Sequence, residues 1–334
     1  MNPLGRAIRL RLWFTSIVGT VGFSIVGWAQ SPSPPQPAIS GVISAGALVE
    51  LVEGGFQGLE GPVASPDGGL YFSSVQANRT YRLDKNGNIS VWREDTHGTN
   101  GLFLLEDGRL LGAESAGRRI IAVMPDGRVT PLATGFDGKA FRSPNDLIAD
   151  KKGGIYFTDP APRVDNVPPK EPGNVHYLRR DREVLLLDDQ IQRPNGLTLS
   201  LDEKTLYVDD TEGEYVYAFD VKPDGSVTNK RPFVKLRDPV QGSFGPRSVA
   251  DGMALDSKGR LYVATASGIQ VIDPRGDYLG TIRVPASTAP GAPVKNVAFG
   301  GRRRQTLYMT GNGALTWMPG AAAPRERSRR PRPR

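Results

Sequence analysis

A short unit that recurs six times along this chain constrains its fold more than any other feature of the sequence. Each copy is a turn followed by a β-rich run, and the runs open with Leu70, Leu110, Ile155, Leu206, Leu261 and Leu307. The copies lie 40 to 55 residues apart, which is the length of one four-stranded propeller blade. Asp-Gly or an equivalent supplies the turn, and the Leu-Tyr-Val run supplies a buried strand. The sequence therefore predicts an all-β fold, a six-bladed β-propeller with four-stranded antiparallel blades around a central channel.

A second hairpin can be identified within most blades, for example in residues 80–87 and 217–225, where an alternating run ends in a Gly-containing turn. No helical pattern of useful length follows residue 40. Two packed sheets of a β-sandwich are the alternative architecture, but a sandwich gives no reason for a repeat at this period. We expect the propeller to occupy residues 40–320.

The composition excludes several kinds of site. The chain has no Cys and only two His, His97 and His176, so thiolate nucleophiles, disulfides and His-rich metal sites are excluded. Most of the net charge of +7 comes from arginines near the two ends. The body of the chain is therefore close to neutral, which argues against nucleic acid as a partner.

The two ends of the chain carry their own patterns. Three arginines precede an apolar run that ends in Gly-Trp-Ala, which predicts a signal peptide over residues 1–29, cleavage after Ala29, and a secreted or periplasmic protein. An uncleaved membrane anchor is the alternative. A Pro-rich linker follows over residues 30–39. Residues 321–334 are rich in Arg and predict a disordered tail, either merely solvated or in contact with an anionic envelope surface.

A small polar or acidic residue stands ten or eleven residues before each β-rich run and leads an apolar step. The six residues are Glu60, Asn100, Asn145, Asn195, Asp251 and Asn296. Because innermost propeller strands line the central channel, repeat symmetry predicts that these side chains converge at its mouth. Carboxylate and amide oxygens suit a hard divalent cation. The alternative is turn chemistry alone, since Asn-Gly and Asp-Gly are common turn dipeptides.

Several segments resemble one family of six-bladed propellers, which comprises gluconolactonases, regucalcin (senescence marker protein) and luciferin-regenerating enzymes. They are Glu60-Gly-Pro, Ser143-Pro-Asn-Asp-Leu with Tyr156-Phe-Thr-Asp-Pro, Arg193-Pro-Asn-Gly-Leu, Asp251-Gly-Met and Phe299-Gly-Gly. Together they extend over residues 50 to 315 in the family's order. The chain departs from regucalcin at Ser143, where regucalcin has Arg, and in the Pro-rich loop after Pro160.

The resemblance implies a lactonase that depends on one divalent metal, with Ca²⁺ favoured and Zn²⁺, Mg²⁺ or Mn²⁺ as alternatives. It assigns Glu60, Asn195 and Asp251 as metal ligands, with Asn145 against the metal and the substrate. Asp251 is also the general base, and Asn100 lies near the substrate. His97 and Asn296 are candidate rim residues, and His176 is interpreted as structural.

Three functions remain open at this point. The first is hydrolysis of a sugar lactone or related cyclic ester, a carboxylic ester hydrolase reaction on a small-molecule substrate. The second is a non-catalytic propeller that binds a small ligand or an envelope partner, with the metal as a stabiliser. The third is another activity on the same scaffold, such as an esterase. The closed ring without an obvious apolar face is compatible with a monomer, and membrane contact is expected only through an uncleaved signal or the basic tail.

Overall fold

The computed structural model of the protein describes residues 35–163, 167, 170–284, 293–311 and 313–321. Every regular element in these residues is a β-strand, and none of them forms a helix of the length and apolarity needed to cross a bilayer. The signal peptide predicted over residues 1–29 and the tail predicted over 321–334, apart from its first residue, lie outside the described part of the chain. Both stay predictions.

The chain alternates between short strands and turns from the first strand to the last. The first fifteen strands are β1 (Glu50–Gly54), β2 (Leu59–Ala64), β3 (Leu70–Ser74), β4 (Arg79–Leu83), β5 (Ile89–Glu94), β6 (Thr99–Leu104), β7 (Leu110–Glu114), β8 (Arg119–Val123), β9 (Val129–Ala133), β10 (Gly135–Phe136), β11 (Lys139–Ala140), β12 (Leu147–Ala149), β13 (Ile155–Asp159), β14 (Asn174–Leu178) and β15 (Val184–Asp188). The remaining strands are β16 (Pro194–Leu199), β17 (Thr205–Asp210), β18 (Tyr215–Val221), β19 (Val227–Lys235), β20 (Val240–Gly242), β21 (Gly245–Arg247), β22 (Met253–Leu255), β23 (Leu261–Thr265), β24 (Gly268–Ile272), β25 (Tyr278–Ile282), β26 (Val294–Gly300), β27 (Thr306–Gly311) and β28 (Ala314–Met318).

These strands form six four-stranded antiparallel sheets, and the prediction of a six-bladed propeller is confirmed. Five blades are continuous in sequence, namely β2–β5, β6–β9, β12–β15, β16–β19 and β22–β25. The two-stranded ribbons β10–β11 and β20–β21 are insertions between blades. Both insertions lie in connections from an outermost strand to the next innermost strand, and these connections are all at one end of the channel.

The ring is closed by the two ends of the domain in one blade. The sixth blade consists of β26, β27 and β28, and its outermost strand is β1, which pairs antiparallel with β28. Glu50 lies opposite Trp317, and the Trp317 indole nitrogen donates a 2.9 Å hydrogen bond to the Glu50 carboxylate. This pairing joins the first and last blades and leaves the ring without an open edge at that point.

The apolar core lies between the faces of neighbouring blades. Leu111 and Ile120 of the second blade, for example, form one cluster with Leu147 and Phe157 of the third. A strand in the middle of a blade is covered on both faces, and all five residues of β13 and of β23 are accordingly buried. This explains why these strands read as continuous apolar runs rather than as alternating patterns.

The turns between the two inner strands of each blade adopt the left-handed conformation that the repeat predicts. Glycine fills this position in four blades, and the blades without glycine place Glu203 (φ 59°) and Arg304 (φ 50°) there. The hairpin of the sixth blade is also longer, because Phe299 pairs with Leu307 eight positions later, whereas Ala64 pairs with Leu70 in the first blade. This extra length changes the alignment of the last repeat.

His176 lies in β14 with 1% of its surface exposed, among the rings of Phe136, Phe141 and Phe157. Burial, and to a smaller extent the charge of Arg142, lowers the pKa of His176 to about 4. The neutral imidazole therefore behaves as a packing group, as the sequence predicts.

We expect the stability of the protein to fall between pH 6.5 and pH 4 because of His176. In this window the unfolded chain binds a proton at His176 that the folded protein does not, so the free energy of unfolding decreases as pH falls, by at most about 3 kcal/mol. His176→Phe retains the ring packing and removes the proton site. Its Tm, measured by circular dichroism from pH 7 to pH 4.5, should fall less than that of the wild type. Parallel Tm curves for the two proteins would contradict this explanation.

Candidate active site

Each blade has a residue at one structurally equivalent position, either second in its innermost strand or two residues before that strand, and we call this position the station. Val63 pairs with Tyr71 in the first blade, and Thr198 pairs with Tyr207 in the fourth. The station residue lies three positions before the paired residue. In the first five blades the stations are Glu60, Asn100, Asn145, Asn195 and Asp251. The residues predicted from the repeat thus occupy one level of the channel.

The sixth blade departs from the sequence alignment. Ala298 pairs with Tyr308, so Lys295 occupies the station and Asn296 follows it. The hairpin of this blade is longer, so the station lies farther from the β-rich run than in the other blades. Counting ten or eleven residues back from the run therefore selects Asn296 instead of Lys295. Asn296 is buried, with 6% of its surface exposed, rather than at an exposed rim. The prediction that Asn296 shares the position of the other five residues is wrong for this reason.

The residue after the station is in contact with the next blade. The Gly101 N–H donates a 2.7 Å hydrogen bond to the Asn145 carbonyl, and the Gly252 N–H donates a 2.8 Å bond to the Lys295 carbonyl. A Cβ atom on Gly196 would lie 2.1 Å from the Asp251 carbonyl oxygen. Glycine at this position allows neighbouring inner strands to approach closely, which holds consecutive stations together.

Two blades carry a side chain where the others have this glycine. Asp146 and Asn296 follow the stations of blades three and six. Their side chains lie against the preceding blade, because a Cβ on Gly101 would be 2.5 Å from Asp146 Oδ1 and one on Gly252 would be 1.9 Å from the Asn296 amide carbon. Both residues line a channel cavity of about 590 Å³, at the end of the cavity nearest the station. From there the cavity continues toward Pro66.

Several oxygen atoms at the station are buried without a hydrogen-bond partner. They are Glu60 Oε2, Asn100 Oδ1 and Asn195 Oδ1. The Asn195 amide nitrogen, in contrast, donates a 3.0 Å hydrogen bond to the Thr211 hydroxyl. This bond fixes the orientation of the amide, and its Oδ1 points away from Thr211. Buried polar atoms are normally satisfied, so three acceptors without donors at one level indicate a missing electropositive partner.

The charges at the station also favour a positively charged partner, because negative groups outnumber positive ones. Burial and the Asp251 carboxylate raise the pKa of Glu60 well above its usual value. Burial also raises the pKa of Asp251, while the Lys295 ammonium, 3.3 Å from Asp251 Oδ2, opposes this rise. Asp251 in turn raises the pKa of Lys295. Two carboxylates and one ammonium thus share a buried site, and a second cation there would relieve the repulsion between the carboxylates.

Two further carboxylates that the sequence analysis did not select as ligands lie close to the station. Burial, and to a smaller extent Asp251, raise the pKa of Asp146 to about 7. Burial and Asp251 likewise raise the pKa of Asp209 well above its usual value. Asp210 has a different role, since its Oδ1 accepts the backbone N–H groups of Arg193 and Glu212 and caps the end of β17. Only strand register shows that Asp209 faces the station and Asp210 does not.

His97 lies in the connection before the second blade with a positive φ of 51° and is exposed. Its carbonyl accepts the Gly117 N–H at 3.0 Å. Its assignment as a rim residue stays a prediction. Val249 also has a positive φ, 55°, at a place two residues before Asp251. Gly58 and Gly98 adopt the same conformation two residues before their own stations, so the backbone at Asp251 follows a path that suits glycine better than a β-branched residue.

The donor set fits a hard divalent cation. The described residues contain no cluster of three or more His, Cys, Asp or Glu that could bind a metal by themselves. A cation at the station would therefore need amide oxygens together with the carboxylates of Glu60 and Asp251. The unpartnered Asn195 and Asn100 oxygens are donors of this kind, and oxygen-only sets of mixed charge are typical of Ca²⁺ sites.

Comparison with known proteins gives a consistent result. Residues 59–312 match the family described as the SMP-30/Gluconolactonase/LRE-like region, which confirms the resemblance predicted from the sequence. A gluconolactonase from Zymomonas mobilis is 29% identical over 299 residues, covering 82% of each chain. Regucalcin from Oryctolagus cuniculus is 31% identical over 195 residues, covering 56% of this chain and 60% of that protein.

The solved structures show the same fold. The gluconolactonase from Xanthomonas campestris superposes with a TM-score of 0.73 at 28% sequence identity, covering 86% of this chain and 95% of that one.

Proposed function

The chain belongs to the SMP-30/gluconolactonase/LRE-like family, and from this premise we propose that it is a lactonase. It would hydrolyse the ring ester of a small lactone. The observation that carries this proposal is the station itself. Buried, unpartnered oxygens of Glu60 and Asn195 lie at one level with Asp251, and the chain is similar over most of its length to a gluconolactonase.

The proposal includes one divalent cation, with Ca²⁺ favoured over Zn²⁺, Mg²⁺ and Mn²⁺ by the all-oxygen donor set. Glu60, Asn195 and Asp251 would hold it, with Asn145 beside it. The chemistry that such a cation supplies is Lewis acidity toward the ester carbonyl and toward an attacking water.

The residues of the chain account for the proton and for orientation. The Asp251 carboxylate would accept the proton of the attacking water, because it is a buried carboxylate at the same level of the channel as the other proposed ligands. Lys295, 3.3 Å away, favours the ionised carboxylate that a base requires. Asn100 and Asn145 would orient the hydroxyl groups or the carbonyl of the substrate.

Metal analysis followed by pH-stat hydrolysis of a lactone panel tests the proposal. We expect the purified protein to contain about one divalent ion, and chelation to reduce lactone hydrolysis at least a hundredfold. The Tm should fall in parallel, since a ligand that binds only the folded state stabilises it by about 3 kcal/mol at a hundred times its Kd. Adding Ca²⁺ should restore both.

Other outcomes distinguish the alternative functions. A metal-loaded protein that is inert toward every lactone but hydrolyses open-chain esters would indicate an esterase on this scaffold. A metal-loaded protein inert toward both classes would indicate a binding propeller and overturn the lactonase proposal. Full activity after complete removal of metal would contradict the proposed role of the cation.

A further inference from the structure

Two arginines from separate segments form ion pairs with one glutamate near the channel mouth, and a third arginine lies close enough to feel their charges. Arg163 belongs to the loop after β13, Arg247 ends β21, and Arg193 directly precedes β16. The Glu212 carboxylate, whose side chain is fully buried, forms ion pairs with Arg163 Nη2 and with Arg247 Nη1, the latter at 2.8 and 3.0 Å to its two oxygens. The Arg193 guanidinium donates a 2.7 Å hydrogen bond to the Ala161 carbonyl. We call these three side chains the arginine cluster.

The arginine cluster lies beside the station. Glu212 follows Thr211, whose hydroxyl accepts the Asn195 amide at 3.0 Å and donates to the Ala250 carbonyl at 2.8 Å. Arg193 is two residues before Asn195. The electrostatic effects agree with this placement, since Asp251 raises the pKa of Arg193 and Arg163 lowers that of Lys295. The cluster and the proposed catalytic carboxylate therefore act on one another at short range.

Positive charge exceeds negative charge within the cluster. Glu212 is the carboxylate with which Arg163 and Arg247 form ion pairs, and no ion pair of Arg193 is found among the described residues. Asp210 is nearby, but its Oδ1 accepts the backbone N–H groups of Arg193 and Glu212 rather than a guanidinium group. Burial, followed by the Arg163 charge, lowers the pKa of Arg193 to about 10. Two guanidinium groups paired with one buried carboxylate, and a third beside them, are more than structural pairing requires.

The cluster also has hydrogen-bonding capacity left over and is accessible. The Nε atoms of Arg163 and Arg247 are buried without hydrogen-bond partners, while 30% and 24% of these two side chains are exposed to solvent. Guanidinium groups bind carboxylates and phosphates through two parallel N–H donors, an arrangement that lysine cannot offer. A partly exposed group of three arginines at the entrance of an otherwise near-neutral domain is suited to an anion.

We infer that the lactone hydrolysed by this protein carries a second, anionic group outside its ring, a carboxylate or a phosphate, which binds to the guanidinium groups of Arg163, Arg193 and Arg247. This inference rests on the proposed lactonase function and specifies its substrate class. The anion would be held on the side of blades three to five, with the ring ester at the station. A neutral sugar lactone would leave the excess positive charge uncompensated.

Three lactones of matched ring size test the inference, a neutral aldonolactone, the lactone with a carboxylate in place of its terminal hydroxymethyl group, and the lactone with a terminal phosphate. We expect kcat/KM to be at least tenfold higher for one of the charged lactones, and the better of the two identifies the anion. Arg163→Gln and Arg247→Gln should each reduce this preference, the ratio of kcat/KM for the charged lactone to kcat/KM for the neutral one, about tenfold and mainly through KM. Arg163→Lys should recover only part of the loss.

The control is Arg179→Gln, which removes an arginine bound to Glu183 in the turn between β14 and β15, at the other end of the channel. This variant should leave kcat/KM unchanged for all three lactones. Equal kcat/KM for the neutral and the charged lactones, or equal losses on all three in the arginine variants, would overturn the inference while the lactonase proposal stands.

A binding measurement separates the two proposals if no lactone is hydrolysed. Calorimetric titration with the open-chain sugar dicarboxylate should then show binding that Arg247→Gln weakens about tenfold and Arg179→Gln does not. Such binding without turnover would overturn the lactonase function and retain the anion site. No binding of the dicarboxylate to the wild type would overturn the anion site as well.

Discussion

Replacing Asp251 with Asn is expected to lower kcat/KM for lactone hydrolysis about a thousandfold, which corresponds to about 4 kcal/mol of transition-state stabilisation. Asparagine retains an oxygen that can face a cation but cannot accept a proton at neutral pH. The fold should be preserved, because the change removes one of two buried carboxylates that raise each other's cost of ionisation. Loss of the partner of Lys295 acts in the opposite direction, so we expect the Tm to stay within a few degrees of wild type.

Initial rates on the preferred lactone, bound metal and Tm should be measured on the same preparation of Asp251→Asn. Asp277→Asn is a suitable control, since Asp277 is an exposed carboxylate that forms an ion pair with the exposed Arg275. If the Asp251 variant keeps its metal and more than a tenth of its activity, another group accepts the proton. Asp146, whose pKa is about 7, is then the first residue to replace.

Replacing Gly196 with Ala is expected to destabilise the protein by about 3 kcal/mol and to reduce activity together with stability. The new Cβ would lie 2.1 Å from the Asp251 carbonyl oxygen and 2.8 Å from Asp209 Oδ2. Backbone of the neighbouring blade cannot move aside without displacing the inner strand, and overpacking of this kind costs about 1–3 kcal/mol or more. Because the displaced residue is Asp251, metal affinity should weaken as well.

Chemical denaturation of Gly196→Ala measures the loss of stability, and Gly127→Ala provides the matched comparison. Gly127 has a positive φ of 84° and open space around its missing Cβ. That variant should cost about 1 kcal/mol from backbone conformation alone. A loss for Gly196→Ala no larger than for Gly127→Ala would show that the blades have room to separate at the station.

The fold could be predicted because the blade is a local unit. Turn residues and the apolar runs that follow them act over fewer than ten residues, and six copies leave few architectures open. The closing strand β1 carries no such signal. Its sequence from Glu50 to Gly54 becomes a blade strand only because β28 offers a free edge.

The station could be predicted only in part. Glu60, Asn100, Asn145, Asn195 and Asp251 were identified because five hairpins keep nearly the same length. Lys295 was missed because the sixth hairpin is longer, and a change of one residue in register selects its neighbour Asn296. Spacing along the chain cannot show this difference, whereas the pairing of Ala298 with Tyr308 does.

The sequence by itself determined the propeller, the number of its blades and the oxygen-rich character of the channel mouth, since each depends on local turn chemistry, apolar periodicity and residue type. Tertiary structure decided the charge of the site. Lys295 reaches Asp251, and Asp209 approaches from another strand. Arg163 and Arg247 arrive from two different connections to pair with Glu212, and Arg193 from a third lies within range of their charges. Electrostatic effects depend on distance in space, and residues far apart in sequence come within a few ångströms only when the blades close into a ring.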